Sequence, residues 1–170
     1  RAYRDIGLKG NVALNMGDRA YMDKLPYTYE TIPKELQGKL SSTGNPEEML
    51  ELYQEMIRRW NGKEGMKVVC STSAPQRCTD GYLMQALKLA LDHDLPMHTH
   101  ILETRMQRST GPEFYGKSIV QHIKDLGFLT DRLTIIHGVW MDEADMAAIG
   151  EAGASVAHNP VSNLKLGSGI

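Results

Sequence analysis

The sequence has few cysteines and lacks long apolar runs. Cys70 and Cys78 are its only cysteines, and no apolar stretch approaches the roughly 20 residues that a membrane-spanning helix needs. The first residues do not form a signal peptide, so we expect two reduced thiols in a cytoplasmic protein that has no membrane partner.

The sequence also lacks an excess of charge of either sign. Its formal net charge of -2 gives no electrostatic reason to expect a nucleic-acid partner. The glycine-rich phosphate-binding patterns GxGxxG and GxxxxGK(S/T) are absent, which argues against a nucleotide-binding doubly wound sheet. With 41% apolar residues the chain can bury one sizeable core, and we expect residues 1–170 to be one domain or part of one.

Five short apolar segments alternate with segments of helical periodicity. The predicted strands cover residues 9–15, 66–71, 95–102, 133–137 and 154–158. The predicted helices cover residues 45–60, 79–91, 118–126 and 143–149, and two further segments are interpreted as a lid over a site (16–44) and a polar loop (105–112). Near-continuous apolar strands joined by helical crossovers predict a parallel α/β sheet.

Chemically capable side chains follow the carboxyl ends of four predicted strands. They are Ser71 and Ser73, His98 and His100 with Glu103, His137, and His158 with Asn159. Because side chains alternate along a strand, His98 and His100 are expected on the same side. In a closed (β/α)8 barrel the carboxyl ends of the strands meet on one face, where the active site is built. The pattern therefore predicts a (β/α)8 TIM barrel.

The strand-end histidines and Glu103 are suited to binding a metal. Neutral imidazoles beside a carboxylate suit zinc or iron, and such a metal can lower the pKa of a bound water. We therefore predict one divalent metal, zinc in preference to iron. Gln76 and Arg77, in the turn after the second strand, are candidates for substrate contact, although both also fit an ordinary surface loop.

Three segments resemble motifs of the amidohydrolase superfamily. They are HTHILET (98–104), IIHGVW (135–140) and VAHNPVSNLKLGSG (156–169). The branch that they resemble includes cytosine, guanine and S-adenosylhomocysteine deaminases and the s-triazine chlorohydrolases. The resemblance implies a TIM barrel of the metal-dependent hydrolase type, in which the five strands found here look like the third to the seventh.

The resemblance also implies roles for the central site residues. His100 matches the metal ligand of the fifth barrel strand. Glu103, three residues further on, matches the proton carrier to the substrate ring nitrogen. His137 matches the sixth-strand histidine that orients the attacking water.

The resemblance assigns His98, His158 and Asn159 to the wall of the pocket. His98 is expected to line the pocket as a neighbour of the metal ligand, and His158 and Asn159 to shape the end of the seventh strand near the substrate. The family's first-strand HxH pair and eighth-strand aspartate are absent from the sequence. This implies that the chain is an internal part of a single catalytic barrel domain in a longer enzyme.

The activity implied by the resemblance is hydrolytic deamination of a small N-heterocycle by metal-activated water. A purine, a pyrimidine or a triazine-like ring would each fit, and the substrate itself stays open. Two alternatives also stay open. One is an amidase-type or chlorohydrolase-type enzyme, and the other is a non-catalytic partial barrel that associates with itself through open sheet edges. We expect a homo-oligomer.

Overall fold

The structure is a computed structural model that describes residues 2–20, 31–37 and 44–170. The strands are β1 (Gly10–Val12), β2 (Asn15–Met16), β3 (Met66–Val68), β4 (Cys70–Thr72), β5 (Met97–Ile101), β6 (Leu133–His137) and β7 (Ser155–Ala157). The α-helices are α1 (Ala2–Asp5), α2 (Lys34–Gln37), α3 (Pro46–Trp60), α4 (Asp80–Asp92), α5 (Arg105–Tyr115), α6 (Ile119–Asp125), α7 (Glu143–Ala152) and α8 (Pro160–Leu166). Residues 21–30 and 38–43 of the predicted lid lie outside the described residues.

The strands form a parallel sheet in the order of the sequence. β2, β4, β5, β6 and β7 lie side by side, and β1 and β3 form a second parallel pair. Helices cross over between successive strands from β4 onward. The predicted parallel α/β arrangement is therefore confirmed, and this order of strands and helices is that of a partial (β/α)8 barrel.

One face of the sheet packs against the helices. Cys70, Met97 and Leu133 are in register on neighbouring strands, and all three are buried. They belong to one hydrophobic core that also contains Leu83 of α4 and Ile123 of α6. Each fully buried aliphatic side chain of this kind contributes about 1.5–3 kcal/mol to the free energy of unfolding.

The opposite face carries a polar residue at the same level on every strand of the five-stranded sheet. The residues in register are Asn15, Ser71, His98, Thr134 and Ser155. In a (β/α)8 barrel this face points to the barrel interior. The carboxyl ends of β5 and β6 therefore lie next to a polar interior and not an apolar one.

A buried tyrosine marks the point where each of two predicted strands is interrupted. The Tyr53 hydroxyl accepts hydrogen bonds from the amides of Leu14 (2.9 Å) and Ser71 (3.1 Å), and it lies 3.2 Å from the carbonyl oxygen of Val69. Burial raises the pKa of Tyr53 to about 12. Because this hydroxyl serves backbone groups between β1 and β2 and between β3 and β4, segments 9–15 and 66–71 are each split in two.

The predicted polar loop over residues 105–112 is wrong, because α5 occupies this stretch. Thr104 Oγ1 accepts a hydrogen bond from the Gln107 amide (3.2 Å), and Thr-x-x-Gln is a helix-start pattern. A glycine inside a helix is costly, but a Cβ at Gly111 would lie 2.8 Å from the carbonyl oxygen of Lys117. The close approach of α5 to the start of α6 therefore requires glycine at this position.

Two further expectations concern the cysteines and membrane-spanning helices. Cys70 and Cys78 are both buried and form no disulfide bond with each other. Among the described residues, the helices are too short or too polar to cross a membrane.

Candidate active site

His98 and His100 lie on the same face of β5, as the strand alternation predicts. Their neighbours Met97, Thr99 and Ile101 are buried on the other face, whereas both histidines are partly exposed. Burial, and then the charge of His100, lowers the pKa of His98. The environment of His98 therefore favours the neutral imidazole.

His137 closes β6 in an unusual backbone conformation. A regular strand would point it toward the helices together with Leu133 and Ile135. Its φ is 79°, a left-handed value that costs a residue other than glycine about 1–3 kcal/mol. In this conformation His137 Nε2 lies 3.6 Å from Oε1 of Glu103, and its ring centroid lies 5.5 Å from that of His100. Two imidazoles and one carboxylate thus meet at the carboxyl ends of β5 and β6.

The Nδ1 atoms of His100 and His137 each face an oxygen that can only accept a hydrogen bond. His100 Nδ1 lies 2.8 Å from the carbonyl oxygen of Ser73, and His137 Nδ1 lies 2.7 Å from Oδ1 of the buried Asn163. Each Nδ1 therefore carries a hydrogen, so that in the neutral imidazole the lone pair lies on Nε2. An imidazole fixed in this way can bind a metal or accept a proton through Nε2.

The turn after β4 brings Gln76 and Arg77 to the same place. Gln76 is buried, whereas Arg77 is exposed and donates a hydrogen bond from Nη1 to Ser73 Oγ (2.8 Å). Beside them is a cavity of about 340 Å³. The side chains that line it include Gln76, Arg77, His100, Glu103 and Gln107. Four residues that the sequence predicted for the site are thus brought together around one cavity.

The four remaining predicted site residues are not among the described residues that line that cavity. They are His98, His137, His158 and Asn159. His158 is exposed, and the carbonyl oxygen of Asn159 accepts the amide of Asn163 (2.9 Å) at the start of α8. Asn159 therefore contacts the helix that carries the hydrogen-bond partner of His137.

One residue at the cavity was missed by the sequence analysis. Gln107 is 7% exposed, and its side-chain amide contacts the backbone of both His100 and Glu103. The helix-start pattern from Thr104 to Gln107 was a signal that could have identified it, because it places Gln107 in the first turn of α5. The prediction of a loop over 105–112 did not use this pattern.

The described residues do not form a complete metal site by themselves. Within residues 2–20, 31–37 and 44–170, no group of three or more His, Cys, Asp or Glu side chains could hold a metal ion. His100 fits as a single ligand, because its hydrogen bond to Ser73 leaves Nε2 unprotonated. The described residues thus offer two oriented imidazoles, of which His100 is the one predicted as a metal ligand, and the carboxylate of Glu103 beside His137.

Comparison with curated proteins identifies relatives that are deaminases. The chain is 36% identical, over 169 residues, to 5-methylthioadenosine/S-adenosylhomocysteine deaminase of Thermococcus kodakarensis. That alignment covers 99% of this chain and 35% of the relative. The chain therefore spans about a third of the length of the curated relatives it matches.

Comparison with solved structures gives the same fold. An adenosine deaminase from Xanthomonas campestris with bound zinc matches with a TM-score of 0.80 and 25% identity, covering 99% of this chain and 34% of that one. A guanine deaminase from C. acetobutylicum with bound guanine matches with a TM-score of 0.78 and 18% identity, covering 99% of this chain and 37% of that one. These are amidohydrolase TIM barrels, and this chain corresponds to part of the barrel.

The sequence profile of the Amidohydrolase family matches residues 7–170, which is nearly the whole chain. The resemblance inferred from three short motifs is thereby confirmed over the full set of strands. The chain belongs to the amidohydrolase family.

Proposed function

We propose that this chain is the internal part of a single catalytic barrel domain, and that the whole enzyme deaminates a small N-heterocycle by hydrolysis. The observation that carries the proposal is the contact between His137 and Glu103, 3.6 Å apart beside His100. The named activities of the relatives, which include deamination of adenosine and guanine derivatives, support the same reaction class.

His100 is proposed as one ligand of a divalent metal, with zinc preferred to iron. Its hydrogen bond to Ser73 holds the ring so that the lone pair of Nε2 is available. When bound, the metal supplies a Lewis acid that makes water reactive near neutral pH. The remaining ligands would come from outside the described residues, because these contain no cluster that could hold a metal by itself.

Glu103 is proposed as the proton carrier of the reaction. Water adds to the ring carbon that bears the amino group, and Glu103 passes a proton from that water to the neighbouring ring nitrogen. The hydrogen of the hydroxyl group now on the ring carbon then passes, by way of Glu103, to the amino group, the carbon–nitrogen bond breaks, ammonia leaves, and the ring carbon keeps the oxygen as a carbonyl. Glu103 suits this role because its side chain is 25% exposed and lines the cavity.

His137 is proposed to stabilise the negative charge that develops on the attacking oxygen in the form that carries a proton on Nε2, because only a protonated Nε2 can donate a hydrogen bond to that oxygen. Asn163 holds its Nδ1, so the ring is oriented before the substrate arrives and Nε2 faces the reacting groups. A group that is already oriented stabilises the transition state without a further cost of reorganisation.

Gln76 and Arg77 are proposed to contact the substrate from the turn after β4, because both line the cavity beside Glu103. His98, His158 and Asn159 are proposed to shape the pocket from the barrel interior and the end of β7.

We also propose that the protein is cytoplasmic and that it forms a homo-oligomer. Exposed apolar side chains on α8, Val161, Leu164 and Leu166, are consistent with a further contact surface.

The proposal is tested by measuring the released product. A protein expressed from the complete coding sequence is incubated with amino-substituted purines, pyrimidines and triazines and with the matching chloro-substituted rings. The expected result is ammonia release, with the amino group replaced by oxygen. Chloride release alone would favour the chlorohydrolase alternative, and no release from any ring would contradict the proposed function.

A further inference from the structure

The side-chain amide of Gln107 joins three parts of the candidate site. Its Oε1 accepts a hydrogen bond from the Glu103 amide (2.8 Å), and its Nε2 lies 2.9 Å from the carbonyl oxygen of His100 and 3.2 Å from Oε1 of Gln76. Gln107 is buried, so these partners replace water. Both ends of the amide group are thus used inside the site.

This arrangement differs from an ordinary helix start. In a capping box, the residue at the third helical position bonds back to the amide of the capping residue, as Asp145 does to Asp142 in α7. In α5, Thr104 caps the helix, but the side chain of Gln107 bonds to the residue before the cap. The Gln107 side chain therefore holds Glu103.

Glu103 needs such a partner because of its position. It follows Leu102, whose φ of 54° is left-handed and ends the regular strand. Its amide bonds to Gln107 instead of to a neighbouring strand. The same Gln107 side chain bonds to His100, which lies on the last regular part of β5.

We propose that Gln107 is a positioning residue that fixes Glu103 relative to His100 and Gln76, so that the carboxyl group of Glu103 stays beside His137. The contacts themselves are structural, and only the reaction that they serve rests on the proposed function. Catalytic groups must be held within a fraction of an ångström of their productive geometry, and loss of such support lowers turnover more than it weakens substrate binding.

The chain offers a matched control in α6. Gln121 occupies the same third helical position after the capping residue Ser118, and its amide donates the capping hydrogen bond to Ser118 Oγ (3.1 Å). Its side chain bonds to the carbonyl oxygen of Ala144, away from the cavity lining (3.0 Å). Gln107→Met removes three side-chain hydrogen bonds inside the site, and Gln121→Met makes the same replacement outside the site, where it removes the bond to Ala144.

The first measurement is steady-state kinetics in the full-length enzyme, beside Glu103→Gln. Gln107→Met is expected to lower kcat by about 10- to 100-fold with KM changed by less than about threefold, whereas Gln121→Met leaves both within about twofold. The second measurement is hydrogen exchange at the Glu103 amide, which should accelerate in Gln107→Met and not in Gln121→Met. In Gln107→Glu a carboxylate oxygen can still accept the hydrogen bond from the Glu103 amide, but both side-chain N–H donors are lost. The Glu103 amide should therefore stay protected from exchange while kcat still falls.

Three results would overturn the positioning role. One is unchanged kcat in Gln107→Met while Glu103→Gln is inactive. Another is an equal fall in kcat for the Gln107 and Gln121 variants, which would indicate a general loss of folded enzyme. The third is unchanged exchange at the Glu103 amide in Gln107→Met. Full turnover of Glu103→Gln would instead contradict the proposed role of Glu103, and the exchange result would still decide whether Gln107 holds it.

Discussion

Nε2 of His137 lies 3.6 Å from Oε1 of Glu103, although the two residues follow different strands and His137 would point to the helices in a regular strand. The contact depends on the left-handed backbone of His137 and on its hydrogen bond to Asn163. The two side chains that we propose for proton transfer and charge stabilisation are therefore in contact at the carboxyl ends of β5 and β6.

The support of His137 by Asn163 can be tested by removing the side-chain oxygen. Asn163→Leu should lower kcat by about 10- to 100-fold, because the imidazole loses the group that fixes its tautomer and orientation. Asn61→Leu is the control, since Asn61 also accepts one hydrogen bond, from the Val68 amide (3.0 Å), but from no predicted site residue. Equal kcat values for the two variants would mean that Asn163 does not orient His137.

Tyr53 should contribute to stability through its hydroxyl group. Tyr53→Phe is expected to lower the free energy of unfolding by about 1–3 kcal/mol, because the amides of Leu14 and Ser71 lose their acceptor. The measurement is urea unfolding beside Tyr3→Phe, a residue that is 54% exposed. If Tyr53→Phe unfolds at the same urea concentration as Tyr3→Phe, water or backbone groups replace the hydroxyl.

The carboxyl group of Asp142, which caps α7, should make stability depend on pH. The Asp145 amide, and then the Arg108 guanidinium, hold the pKa of Asp142 below its ordinary value. The resulting stabilisation is complete above the unfolded-state pKa of about 3.9 and is lost as the pH falls through the lower folded-state pKa. Urea unfolding between about pH 2.5 and pH 6 should therefore show a smaller acid-induced loss for Asp142→Asn than for the wild type. An equal acid-induced loss of the free energy of unfolding in the two proteins would contradict this prediction.

The proposed ligand role of His100 predicts a loss of metal after substitution. A protein expressed from the complete coding sequence should retain about one divalent metal per chain after dialysis, and His100→Gln should lose most of it. His93→Gln is the control, because His93 is exposed at the end of α4. Equal metal content in the two variants would show that His100 is not a ligand.

Local patterns in the sequence predicted the features that local geometry determines. The alternation from Met97 to Ile101 placed His98 and His100 on one face, and the strand register confirms it. The helix at Asn45 was predicted from its capping residue, which accepts hydrogen bonds from Glu47 and Glu48. Such signals act over a few residues, so they are visible without the tertiary structure.

Features set by distant contacts were not predicted. The strands interrupted at Leu14 and Val69 depend on Tyr53, which lies 39 and 16 residues away from them. The backbone of His137 is set where the amide of Gly138 bonds to the carbonyl oxygen of Ile101 (3.0 Å), across two strands. A sequence pattern identifies these residues as strand-end residues but does not predict how the backbone turns there.

The central claim is that Glu103 carries the proton in a hydrolytic deamination, and the direct measurement is ammonia release by Glu103→Gln in the full-length enzyme. The matched control is Glu113→Gln, which alters an exposed carboxylate on α5. We expect kcat to fall by about 10²- to 10⁴-fold in Glu103→Gln and to stay within about twofold of the wild type in Glu113→Gln. Full turnover of Glu103→Gln on a substrate that the wild type deaminates would contradict the account.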